Sequence, residues 1–226
     1  MERTSVKTLK NILNFDDYSR SMFYVGFFMK NEIAKISYEA AHQKALLWFL
    51  QNVYECPGID VFWKAWLLPK RQIMGDNELK VRMPLLRKMR SSGMMMTRKE
   101  YLAICRSDRE FRHELLFQKD APVDLCVDLM MSSFFCDIAS QYFFVNRKMD
   151  LLFIFHDDVG FDLVGTSEEG RSTGIRMLKE LRQKNEELWR CVLSCEGEFI
   201  NTNTEYPYQI QNKNEFQIFS KTGNET

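Results

Sequence analysis

Val6, Leu9, Ile12 and Leu13 recur at helical spacing and predict a short amphipathic helix over residues 5–14. Asp16 can cap the next element. Residues 17–35 contain MFYVGFFM, apolar nearly all round, which reads as a buried helix, with a strand as the alternative over those eight residues. Ser37 then caps a helix whose inward face is Ala41, Ala45, Trp48, Phe49 and Val53. Cys56-Pro57-Gly58 breaks it. Asp60 reads as the cap of a short helix, DVFWKAWLL, stopped before Pro69.

Residues 70–97 are less regular, with Gly75, Pro84 and Gly93 as punctuation. Thr97 with Glu100, and Ser107 with Glu110, have capping-box spacing and predict two helices, the second over 108–118. Asp120 and Pro122 predict a further helix running to about residue 145. Its window contains Asp128 and Asp137, which are costly at membrane depth, so it reads as buried in protein. MDLLFIFHDD and GFDLVGTS then read as two strands paired across Asp157–Gly160. Ser172 or Thr173 opens a long helix ending near Cys195, and EFQIFS is a late strand candidate.

These elements predict an α+β protein that is predominantly α-helical and forms one compact unit. A mainly helical region, 1–146, is followed by a small strand-strand-helix region, 147–200, packed on it. Residues 201–226 form a polar C-terminal segment.

Composition adds few constraints. Of 226 residues, 45% are hydrophobic and 27% charged, as in an ordinary globular protein. Net charge is zero, so no global field favours nucleic acid or anionic membrane. The charge is unevenly divided, with 21 basic and 14 acidic side chains in residues 1–120 against 10 and 17 in residues 121–226. That division permits self-association. Six scattered cysteines without a CxxC pair read as reduced thiols in a cytoplasmic protein, the nucleus being the other reducing compartment. The N-terminal stretch lacks the apolar core of a leader peptide.

Candidate chemistry is sparse. The segment KVRMPLLRKMRSSGMMMTRK, residues 80–99, holds seven basic residues, five methionines and no acid. Adaptable Met beside basic residues suits a docking surface for a protein partner: Arg87, Lys88, Met89, Arg90, Met94, Met95 and Met96, with Trp63 and Trp66 as anchors. The bland alternative is one apolar helix face, Leu85, Leu86 and Met89, with solvated cations at its end. An RNA-binding reading would place Lys80, Arg82, Arg87, Lys88, Arg90, Arg98 and Lys99 on phosphates. No aromatic residue falls between 67 and 100 to stack bases.

A metal-dependent nuclease would use the ExK spacing of Glu78 and Lys80, one strand face if that segment is extended, with Asp60 and His42 as further ligands. His156 with Asp157 and Asp158 stands at a strand end, where a hairpin needs polar residues anyway. Cys191 and Cys195 share a helix face in this reading but lack nearby partners for zinc. GTSEEGRSTG lacks a P-loop lysine, and its two glutamates would repel phosphate. The expectation is a non-catalytic protein without cofactor or metal, working through protein–protein contact. Such a composition suits a viral accessory or non-structural protein.

Overall fold

The computed structural model describes residues 2–5, 7–15, 17–67, 76–94, 114–135, 138–156, 159–185, 187–195 and 198–201. In chain order the elements are β1 (Glu2–Ser5), α1 (Lys7–Lys10), a 3₁₀ turn (Tyr18–Arg20), β2 (Tyr24–Lys30), α2 (Tyr38–Asn52), β3 (Ile59–Leu67) and α3 (Asp76–Ser91). There follow β4 (Glu114–Gln118), α4 (Val123–Phe135), β5 (Ile138–Asn146), β6 (Leu151–His156), β7 (Gly160–Gly165), α5 (Glu168–Asn185), β8 (Trp189–Cys195) and β9 (Glu198–Asn201). Among the described residues the strands form one antiparallel sheet in the order β1-β4-β3-β5-β6-β7-β2-β8-β9. Seven strands make its body, edged by the four-residue β1 and β9.

The sheet dominates the core, which corrects the expectation of a predominantly helical protein. MFYVGFFM, DVFWKAWLL, the stretch before residue 118 and the stretch before residue 146 are strands, not helices. The predicted helix ending near Cys195 stops at Asn185 and gives way to β8. The strands before and after residue 146 share one sheet, with β2 between β7 and β8. The Ser37 cap, the β6–β7 hairpin and the helix after Pro122 stand where the pattern put them. The two predicted helices after Thr97 and Ser107, up to residue 113, and the EFQIFS strand lie outside the described residues.

Two register rows explain the sheet's apolar runs. One crosses Leu116, Trp63, Tyr142, Phe155, Phe161, Phe28 and Cys191. This face is covered by α2, α3, α4 and α5, through residues such as Phe49, Met89, Leu129 and Leu178. The adjacent row crosses Phe117, Phe62, Phe143, Ile154, Asp162, Phe27 and Val192, on the opposite face. Its middle is covered by the N-terminal segment, with Leu9 and Leu13 buried, and Phe15 and Tyr18 edge-on to Phe143. With both faces buried, the strands lose the polar alternation that marks a one-sided antiparallel sheet.

Polar anchors fix the connections. Buried Asn146 donates to Val53 O at 2.7 Å and accepts from the amides of Lys148 and Met149 at 3.0 Å, tying the β5–β6 turn to the end of α2. Asp60 accepts from the Asp120 amide at 3.0 Å and lies 3.4 Å from Arg147 Nε, joining β3 to two turns.

Gly170 sits inside α5 where a Cβ would be driven into the carbonyl of Asp150. Helix propensity favours alanine there by about 1 kcal/mol. Overpacking against fixed backbone costs about 1–3 kcal/mol. Gly170→Ala is expected to lower the melting temperature, and a rise on thermal denaturation would contradict this packing.

Candidate functional site

The basic, methionine-rich segment does not form a docking face as a unit. Met89 is fully buried and Met94 is 8% exposed, both in the main core. Trp63 is also fully buried, and its indole donates to Met94 O at 3.1 Å. These three residues face protein, which removes them from any partner surface. The cause is helical phase: Leu85, Leu86 and Met89 form the inward stripe of α3, as the bland alternative expects. Arg87 and Arg90 are exposed, and Lys88 reaches Asp128 of α4 at 2.5 Å. That bond, offsetting a small desolvation cost, pushes the Lys88 ammonium up. The side chains of Trp66, Lys80 and Arg82, and residues Met95, Met96, Arg98 and Lys99, lie outside what is described.

The segment carrying Glu78 and Lys80 is helix α3 rather than the strand that the nuclease reading used, and their side chains lie outside the described residues. Asp60 is occupied with Asp120 and Arg147. His42 Nε2 pairs with Met130 O at 3.0 Å, its ring edge-on to Phe155. Burial pushes its imidazole down to about 4, so it is a neutral core residue at pH 7. Among the described residues no three His, Cys, Asp or Glu side chains converge to hold a metal. No described helix is long and apolar enough to cross a membrane. Cys126 and Cys191 are buried, their thiols pushed up to about 12 by desolvation. Cys191 and Cys195 lie on β8 rather than on a helix.

What the structure does assemble is a slot between α2 and α5. Lys44, Leu47, Trp48, Gln51 and Asn52 line one wall, and Met177, Glu180, Leu181, Lys184 and Asn185 the other. Both sets step by three and four residues, so each is one helix stripe, and the stripes face each other. Each spans nine residues, or about 12 Å of helix. Leu188 and Trp189, where the chain enters β8, close the lining of this cleft of about 350 Å³.

The slot exists because the two helices pack on the sheet rather than on one another. Trp48 is edge-on to Phe28 at 4.6 Å, and Phe28 is edge-on to Trp189 at 5.4 Å. Trp48 also meets Phe161 at 5.8 Å. The aromatic floor is therefore held from beneath, while Leu47 on the rim is 53% exposed. Lys44 and Lys184 stand on opposite walls with Glu180 as the one acid in the lining. Asn52 donates back to Trp48 O at 2.9 Å, and Leu188 O accepts from the Asn31 amide at 2.9 Å, which fixes one end of each wall.

Periodicity placed Trp48 on the inner face of α2 correctly. Nothing local paired it with Trp189, because the predicted helix through residue 189 is a strand in the fold. The signal that could have found the slot is the apolar set Met177, Leu181 and Leu188 together with exposed Leu47.

Met89→Ala is expected to cost about 2–5 kcal/mol in denaturant unfolding, as for a buried Met deletion. Reversing Arg87 and Arg90 to Glu should change stability by less than about 0.5 kcal/mol, as for exposed sites. The opposite order would return Met89 to the surface. Comparison with protein-family models, with curated proteins and with solved structures finds no match, so the geometry of the slot carries the functional argument.

Proposed function

We propose that this protein acts without catalysis, by receiving a segment of a protein partner in the slot between α2 and α5. The observation that supports this reading is the aromatic-floored cleft walled by two helix stripes, with a half-exposed Leu47 at its edge. Two walls about 12 Å long match two turns of a third helix, whose apolar side chains would enter at i, i+3 or i+4, and i+7. Partly exposed Trp48, seated on Phe28 and backed by the buried Trp189, offers apolar area on a rigid base, the type of residue that dominates interface energetics. Lys44 and Lys184, opposed by Glu180 alone, favour acidic flanks on the incoming helix. The occupant is thus an amphipathic helix with Asp or Glu on its solvent side.

A photo-crosslinking residue in place of Leu47, introduced in cells that make the protein, tests this directly. The expected result is a discrete protein adduct mapping to an acidic amphipathic helix. It should be lost when Met177→Trp fills the slot and absent when the same probe replaces Met22, which is 78% exposed on the other face. Identical adducts from the two probe positions would overturn the proposal. So would adducts that survive Met177→Trp, or recovery of nucleic acid alone.

A further inference from the structure

The last described strand points at the slot. β9 pairs with β8 in antiparallel register, with Cys195 opposite Glu198, Leu193 opposite Ile200 and Val192 opposite Asn201. The chain therefore leaves Asn201 running towards the start of β8 at Trp189. Trp189 and the residue before it, Leu188, are the pair that closes the lining of the slot. Counted on in the same register, Thr204 falls opposite Trp189 and Glu205 opposite Leu188. From Asn201 to Thr204 is about 10 Å of extended chain.

Residues 205–210 read EYPYQI and lie outside the described residues. Past Thr204 the ladder has no further residue of β8 to pair with, because β8 begins at Trp189. Pro207 has no amide proton to give to a ladder. Tyr206, Tyr208 and Ile210 follow at every second position, in phase with Thr204. Trp189, the register partner of that phase, belongs to the helix-covered face, where it meets Phe28 at 5.4 Å. The apolar positions of the segment thus share the phase of the face that holds the slot. Its one charged residue, Glu205, suits a lining in which Lys44 and Lys184 are opposed by Glu180 alone. Four extended residues cover about 13 Å, close to the length of the walls.

We infer that residues 205–210 of this same chain are the resting occupant of the slot, which a partner helix must displace. The inference rests on the slot being a binding site, as proposed above, and adds how access to it is regulated. Tethering supplies the affinity, since short linkers give effective concentrations of about millimolar. A contact too weak to hold two separate molecules together then fills the slot. The partner's apparent affinity falls in proportion to the fraction of molecules whose slot is open.

The photo-crosslinking residue at Leu47, now in the purified full chain at high dilution, reads this out. The expected product is an adduct within one molecule that maps by mass spectrometry to residues 205–210. Met177→Trp, which fills the slot, should remove it. Tyr206→Ser combined with Tyr208→Ser should also remove it, and in cells should raise the yield of the partner adduct about threefold or more. An adduct joining two copies, one mapping elsewhere in the chain, or no adduct from the purified chain would overturn the inference. A partner adduct in cells without the internal one leaves the slot as a partner site and removes its resting occupant. The internal adduct, with no partner adduct from either the parent chain or the double variant, keeps the occupant and removes the partner helix.

Discussion

The rest of the structure depends on the packing of aromatic rings around Phe161. This residue of β7 lies within 5.1–6.3 Å, centroid to centroid, of Phe28, Trp48, Phe49, Phe153 and Phe155. Those rings come from β2, α2 and β6, so one side chain joins the middle of the sheet to the helix layer. A buried aromatic residue removes roughly 150–250 Å² from water, and edge-to-face neighbours add to that burial. The cluster sets where α2 can sit. With α2 held over Phe161 and Phe28, and α5 held against Asp150 by Gly170 and against Val25 of β2 and Leu151 of β6 by Gly174, the two helices remain apart. The slot between them is a consequence of that spacing.

The two faces of the sheet are buried by unlike means. Four helices form a thick layer on one side, and polar groups there are paired within it: His42 with Met130, Ser132 with Tyr142, Trp63 with Met94. The other side has a thin cover that includes one helical turn. The slot and the cover occupy opposite faces and depend on different residues.

The sequence and the structure part where a segment is buried on both sides. In β5, Phe143 faces the N-terminal cover while Tyr142 and Phe144 face the helices, so consecutive residues are all apolar and the period of two disappears. The same holds for β2 and β3, and each was readable as the face of a buried helix. No Gly or Pro follows Phe135 to show that α4 ends there. Met89 and Met94 posed the converse problem. Dense positive charge around them suggested a surface, but charged neighbours on a helix leave its inward stripe free to enter the core.

By itself the sequence determined the features that local chemistry decides. These are the Ser37 side chain accepting from the Ala40 amide at 3.1 Å, the helix start after Pro122, the hairpin pairing of β6 with β7, the burial of Leu9 and Leu13, and the inward face of α2. A cap or a tight turn is satisfied by residues within a few positions, so the information is adjacent in the chain. Only the tertiary structure decided that β2 enters the sheet between β7 and β8, that Trp48 and Trp189 share a floor, and that the Tyr24 hydroxyl donates to Asp162. Those are contacts between residues far apart in the chain. Strand order depends on which pairing buries the most apolar surface at once, a property of the whole chain that no single window contains.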